Sequence, residues 1–230
     1  MPPVLLKDPY RSRKLLYRIQ ESIRRGIRHR IFSAIERGDD DKALHFASAR
    51  VLMHSRNEWG LSPLVAAINA DRPQLVREFI RRGGMLEADG AIAHAAMAGN
   101  LAIVELLLTA NKNPNESLPA NGMAHDGYTP LMWATNRKYI PIVKALLQAG
   151  ADVNAVASDG TTAVMLTADA KPTSLEVLEI LCAYLPDVTR KDWRGRSVID
   201  EARDRYRCSG RPEMREVLER HYPHIDFDSV

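Results

Sequence analysis

A unit of about 33 residues recurs along this chain, and the recurrence constrains the fold more than any other feature. It is clearest from Asp126 to Ala155, in DGYTPLMWATNRKYIPIVKALLQAGADVNA. An Asp-Gly turn opens the unit, Thr-Pro begins a short apolar segment, and a second apolar segment follows. The turn glycines Gly127, Gly160 and Gly195 are separated by 33 and 35 residues. Because one such unit cannot bury its own apolar face, several must stack to share a core.

Each unit contains two apolar segments with the spacing of short helices. Apolar residues recur every three or four positions, as in Ile142-Val143-Leu146-Leu147. Thr129 followed by Pro130 predicts a helix N-terminus, because Thr can accept a helix N–H bond and Pro is tolerated in the first turn. Gly150 predicts a left-handed cap after the second helix. The corresponding residues in other units are Ser62, Pro63, Gly83 and Asn111.

This arrangement resembles the ankyrin-repeat family over about residues 31–223. The Asp126 unit matches nearly every consensus position, whereas the first and last units match loosely, as terminal caps do. The resemblance implies an all-α ankyrin-repeat solenoid of about five to six helix-turn-helix units with degenerate caps, preceded by a basic amphipathic helix. The predicted segments are the basic helical segment 1–30, units near 31–56, 57–87, 88–116, 126–156, 157–191 and 192–223, and a tail at 224–230.

Two connections depart from the repeat. The unit that begins at Ala88 lacks most of its incoming turn, and the next connection, SLPANGMAH at 117–125, is too long. Insertions in repeat arrays map to one face, which is often the binding face. A functional insertion and neutral drift both remain open for this segment.

Residues 7–30 differ in kind from the repeats. Apolar residues recur through this segment at a 3-4-4-4 spacing, which predicts a basic amphipathic helix. One interpretation is that its apolar stripe covers the open end of the repeat stack. The other is that it binds an acidic partner, an anionic membrane or a phosphate backbone. Its predicted basic surface consists of Arg11, Arg13, Lys14, Arg18, Arg24, Arg25, Arg28 and Arg30.

Motifs that carry chemistry are missing from the sequence. There is no Gly-rich phosphate loop ending in GK[ST], no HExxH, and no histidine pair at a metal-ligand spacing with a nearby carboxylate cluster. His94 lies in an Ala-rich helix and is predicted to be a buried, hydrogen-bonded structural residue. Cys182 ends an apolar segment, which predicts a core thiol, whereas Cys208 lies in a polar stretch and can be exposed. We therefore expect no enzymatic activity, no metal, no cofactor and no small-molecule substrate.

The sequence also gives an expectation for location. No apolar stretch approaches the roughly 20 residues that span a bilayer. The first residues lack the order of a secretory signal, and the two cysteines suggest no disulfide framework. We expect a soluble intracellular protein of the cytoplasm.

The ankyrin family usually binds partners through its turn tips and the concave face of its short helices. Carried over position by position, the resemblance implies a contact surface with three aromatic tips, Trp59, Tyr128 and Trp193, which could form one strip. Aromatic and arginine side chains often dominate interface energies. The alternative for each ring is packing against its own repeat, as predicted for Trp133 inside a helix. The other predicted partner-binding residues are Leu61, Asn136, Arg137, Asp159, Asp169, Arg194 and Arg196.

Together these features predict a non-catalytic protein-protein interaction scaffold that recruits or masks another macromolecule, as an adaptor does. Two alternatives remain open. One is a nucleic-acid or anionic-surface binder that acts through residues 7–30, and the other is an ankyrin effector directed into a host cell. Binding to phosphates weakens steeply with salt, so salt dependence separates the first alternative from the scaffold.

Overall fold

Short helices joined by turns make up the described part of the chain. The computed structural model describes residues 26, 28–48, 54–84, 89–118, 126–169, 174–209 and 212–227, and these contain no β-strand. Residues 28–37 are helical. The helices that follow, numbered in chain order, are α1 Asp40–Phe46, α2 Pro63–Asn69, α3 Pro73–Arg81, α4 Ala91–Ala98, α5 Leu101–Thr109, α6 Pro130–Asn136, α7 Ile140–Gln148, α8 Ala163–Asp169, α9 Leu175–Cys182, α10 Val198–Ser209 and α11 Glu213–His221.

The chain divides into two compact units, Met1–Leu86 and Glu87–Val230. In the first unit, α3 packs against both α1 and α2. In the second unit, α4, α6, α8 and α10 lie side by side in one layer, and α5, α7, α9 and α11 form a second layer. Each helix of the first layer also packs against the helix that follows it in sequence. The apolar faces therefore form a core shared between repeats, and the predicted all-α solenoid is confirmed.

Small residues allow the first layer to pack closely. On α4 the side chains of Ala91, Ala95 and Ala96 are fully buried, and Leu131 and Met132 of the neighbouring α6 are almost fully buried as well. Alanine lets two helix axes approach, and the larger side chains of the next helix fill the space between them. The first layer therefore combines small side chains on one helix with larger ones on its neighbour.

The predicted helix N-termini are confirmed. Ser62 Oγ accepts a hydrogen bond from the Val65 N–H at 3.2 Å. Thr129 Oγ1 accepts one from the Met132 N–H at 3.3 Å. In both helices proline is the first residue, where its missing N–H costs no helical hydrogen bond.

The predicted left-handed caps are also confirmed, and the structure adds one that was not predicted. Gly83, Asn111 and Gly150 have φ values of 78°, 59° and 85° just after the second helix of their repeats. Leu185 occupies the same place after α9, with a φ of 51°, and its side chain is 67% exposed. A leucine at this position is strained, because its Cβ lies close to the following carbonyl oxygen.

A buried cluster of charged side chains lies at the N-terminus of α4, where the sequence predicts a shortened turn. Asp89 Oδ1 accepts the Ala91 N–H at 3.1 Å, and Glu116 Oε1 accepts the Gly90 N–H at 2.8 Å. Lys112 Nζ lies between the two acids, 2.8 Å from Asp89 Oδ1 and 3.1 Å from Glu116 Oε2. The Asp89 side chain is fully buried and that of Lys112 is 7% exposed. Carboxylates thus take the place that Ser62 and Thr129 have in two other repeats.

Candidate functional site

Three turns of the second unit form a hydrogen-bonded row. We call a finger the turn that precedes the first helix of a repeat; the three fingers span residues 126–129, 157–162 and 191–197. Ser158 N donates to Asp126 O at 3.0 Å, and Trp193 N donates to Asp159 O at 3.0 Å. Each finger is therefore fixed to the next one by its backbone, and the fingers share one edge of this unit.

A second set of hydrogen bonds repeats at the base of the fingers. Asn115 Oδ1 accepts the Asp152 N–H at 2.7 Å, and Asn154 Oδ1 accepts the Asp187 N–H at 2.7 Å. The two bonds connect successive repeats at equivalent places. They add to the finger row a second rigid connection between neighbours.

An acidic or amide side chain braces fingers from within. Asp192 Oδ1 accepts the N–H groups of Arg194 and Arg196 at 2.9 and 3.0 Å. Asp159 Oδ1 accepts the Thr161 N–H at 3.0 Å. In the first unit, Asn57 Oδ1 accepts the N–H groups of Trp59 and Leu61 in the same way, at 3.0 and 2.9 Å. These side-chain turns hold the backbone of each tip in one conformation.

Two of the predicted aromatic tips are exposed. Trp193 is 68% exposed, and the guanidinium carbon of Arg194 lies 4.8 Å from the centroid of its ring. This distance allows a cation–π interaction, which orders the arginine side chain beside the indole. Trp59, in the first unit, is 75% exposed.

The predicted exposure of Tyr128 is wrong. Its side chain is buried, with 3% exposed, and its ring lies 5.3 Å from that of Trp133 at an interplanar angle of 59°. Trp133 is itself buried, so its predicted packing role is confirmed. The tyrosine turns inward because a ring partner is available on the helix that its own finger precedes. The predicted aromatic strip therefore loses its Tyr128 member.

The other predicted partner-binding residues differ in accessibility. Arg137, Asp159 and Arg194 are exposed, whereas Leu61 and Asn136 are half-buried. Arg196 Nη2 lies 2.8 Å from both Glu201 Oε2 and Asp204 Oδ2, so its charge is balanced within the chain. The side chain of Asp169 lies outside the described residues.

The first unit contains an open groove of about 500 Å³ that brings two predicted features together. Trp59 lines it from the finger, and Arg28, His29 and Phe32 line it from the helical residues 28–37. Arg30 is exposed. The remaining residues of the predicted basic surface, Arg11, Arg13, Lys14, Arg18, Arg24 and Arg25, lie outside the described residues.

The two cysteines and His94 lie outside the fingers. Cys182 is buried, which raises the pKa of its thiol to about 12, and Cys208 is exposed. Burial lowers the pKa of His94, an effect opposed by the charge of Asp89. His94 Nδ1 has no hydrogen-bond partner, so the predicted hydrogen bond is absent at that atom.

Two other features, a metal centre and a membrane-spanning helix, are absent from the described residues. The described residues contain no group of three or more His, Cys, Asp or Glu side chains arranged to hold a metal ion. In the same ranges, no helix has the length and apolar character needed to cross a membrane.

Two-helix units, stacked in two layers and preceded by linked fingers, define a helical-repeat protein. A family model described as ankyrin repeats (3 copies) matches residues 92–192. The repeats within residues 92–192 are therefore ankyrin repeats. It is also 26% identical over 140 residues to alpha-latrocrustotoxin-Lt1a of Latrodectus tredecimguttatus. That match covers 59% of this chain but 9% of the toxin, so the chain spans a small part of the length of this relative.

Proposed function

We propose that this chain is a non-catalytic scaffold that binds a partner protein through its fingers and the adjacent ends of its first helices. Ankyrin repeats generally mediate protein-protein interaction, and this family is typically non-enzymatic. The observation that carries the proposal is Trp193, which is 68% exposed at the tip of a braced finger. Exposed aromatic side chains on a rigid backbone lose little entropy when a partner binds them.

Fingers and helix ends together form the proposed contact surface. Trp193 and Arg194 are its centre, and Asp159 adjoins them on the preceding finger. Arg137 and Asn136 lie at the end of α6, and Arg196 supports the last finger through its ion pairs. In the first unit, we propose that Trp59 and Leu61 of the finger also contact the partner protein. We include Asp169, at the end of α8, on the family pattern alone.

The test is a pair of measurements on one variant. A partner is captured from the native cell with the full chain, identified by mass spectrometry, and its affinity measured for the wild type and Trp193→Ala. We expect the variant to weaken binding by about 2 kcal/mol, roughly thirtyfold, because truncating a central aromatic residue typically costs that much. The melting temperature should move little, since the ring is exposed.

Tyr184→Ala is the matched control, because Tyr184 is a 46% exposed aromatic residue of the same unit that lies outside the fingers. It should leave the affinity unchanged. Loss of stability with unchanged affinity in Trp193→Ala would instead assign the indole to packing, and the scaffold proposal would lose its main support.

A nucleic-acid or anionic-surface partner that binds through residues 7–30 is the second candidate. The observation in its favour is that this segment contains nine Lys or Arg residues and two carboxylates. Binding of this kind should weaken by orders of magnitude between low and physiological salt, whereas binding centred on Trp193 should change little.

We further propose that the chain works as an adaptor in the cytoplasm, since both cysteines are free thiols. An alternative form of this proposal is that the chain is an ankyrin effector that acts in the cytoplasm of a host cell.

A further inference from the structure

The finger at 191–197 differs in charge from the fingers before it. Arg190, Lys191 and Arg194 have exposed side chains on or beside this finger. The carboxylate of Asp192 is engaged by two backbone N–H groups of the same turn, and Arg190 lies 3.8 Å from the exposed Asp187. Asp192 keeps its negative charge and Lys191 also interacts with the Asp200 carboxylate, but Lys191 and Arg194 together outweigh Asp192, so the tip has a net positive charge.

The segment that contains the preceding finger presents the opposite charge. Asp152 and Asp159 are exposed, and the segment from 152 to 162 contains no Lys or Arg. Asp159 is directly adjacent to the basic finger, because its carbonyl oxygen accepts the Trp193 N–H. The edge of this unit thus changes from acidic to basic between two neighbouring fingers, with the exposed indole at the boundary.

This pattern discriminates between two kinds of acidic ligand. A nucleic acid carries a regular series of phosphates, so phosphates that contact Lys191 would place others near Asp159 and Asp152, where they are repelled. A protein segment can carry a single acidic residue or a short acidic run, with apolar residues beside it. Such a segment can satisfy the basic tip and the indole without placing negative charge over the acidic finger.

We propose that the finger formed by Lys191, Trp193 and Arg194 recognises a short acidic segment of a partner protein that carries an apolar side chain next to its Asp or Glu. This inference rests on the proposed scaffold function and specifies the chemistry of its partner. The carboxylate pairs with Lys191 and Arg194, and the apolar side chain packs on the Trp193 indole. The internal hydrogen bonds of Asp192 hold the finger in place before the partner arrives, which lowers the entropy cost of binding.

The probe for this proposal is a fluorescent peptide chosen from a random dodecapeptide library that is selected against the full-length chain in 0.15 M salt. Its affinity is compared with that of the same peptide carrying Asn or Gln for Asp or Glu. We expect the acidic peptide to bind at least tenfold more tightly. The double variant Lys191→Glu, Arg194→Glu should lose at least tenfold in affinity for it. Lys144→Glu, at an exposed position of α7, provides a control for added negative charge and should change the affinity less than twofold.

A charge exchange makes the assignment specific. A peptide in which Lys replaces the acidic residue should bind the double variant more tightly than it binds the wild type. Selected peptides that need Trp193 but contain no acidic residue would overturn the partner chemistry and leave the scaffold function intact. Peptides that bind equally well to Trp193→Ala would contradict the scaffold surface itself. A labelled 20-nucleotide DNA that bound as tightly as the peptide, and lost affinity in the double variant, would assign the finger to nucleic acid instead.

Discussion

Leu185 and Gly150 occupy equivalent positions in consecutive repeats and have left-handed φ values of 51° and 85°. The left-handed conformation costs a residue other than glycine about 1–2 kcal/mol, whereas glycine loses about 0.5–1 kcal/mol of chain entropy on folding. The Leu185 side chain is 67% exposed, so its removal sacrifices little packing. We expect Leu185→Gly to raise the free energy of unfolding by up to about 1 kcal/mol. Urea unfolding should show a higher midpoint at an unchanged slope.

Gly150 provides the reverse experiment. A Cβ added there meets no atom within 4 Å, so any loss of stability in Gly150→Ala comes from the backbone conformation. We expect a loss of about 1 kcal/mol. Leu185→Ala should bring no comparable gain, because alanine keeps the strain. If Leu185→Gly lowered the stability, the packing of the leucine side chain would contribute more than its backbone strain costs.

At this scale, the sequence predicts what depends on neighbours within a few residues. Ser62 and Thr129 cap their helices as predicted, because the capping bond reaches only three residues along the chain. Tyr128 shows the limit. Whether a ring at a finger tip faces a partner or its own repeat depends on the space left by Trp133, and a sequence pattern does not specify that space.

At the scale of elements, the repeat from 89 to 118 is held together by charge where its neighbours use a Ser or Thr cap. The missing turn can be predicted from the repeat period, because Gly90 stands directly before α4. The buried cluster of Asp89, Lys112 and Glu116 cannot be predicted from the sequence. Its members are separated by up to 27 positions and come into contact only in the folded repeat. No local rule connects them.

We expect Lys112→Met to destabilise the protein by about 3–5 kcal/mol, because it leaves the buried Asp89 carboxylate without its cation. Adding Asp89→Asn should recover part of the loss, since the asparagine oxygen can still accept the Ala91 N–H without a buried charge. Lys144→Met, at an exposed position on α7, is the matched control and should change stability by less than about 0.5 kcal/mol. Urea unfolding of the wild type, Lys112→Met, Asp89→Asn and the double variant gives the coupling energy, and strictly additive losses would contradict a coupled pair.

At the scale of the whole molecule, the chain consists of two compact units whose boundary lies between Leu86 and Glu87. The all-α repeat architecture could be predicted because every repeat restates the same pattern, so the signal accumulates along the chain. The repeat pattern predicts a repeat boundary near residue 87 but not that the chain divides there into two compact units, because both sides contain the same kind of helix. This division depends on how tightly successive repeats pack, which is a property of tertiary contacts.

We expect the second unit to fold by itself. The described part of residues 87–230 contains four first-layer helices and four second-layer helices with their own buried core. The stability of a repeat protein is approximately the sum of the stabilities of its repeats and of the interfaces between neighbours. We expect the fragment 87–230 to be helical, monodisperse and cooperative in thermal unfolding, as checked by circular dichroism and size-exclusion chromatography. Because it retains the three linked fingers, it should bind a Trp193-dependent peptide as tightly as the full chain does. A folded fragment without this affinity would place the binding energy in residues 1–86, whereas an unfolded fragment would show that its core depends on them.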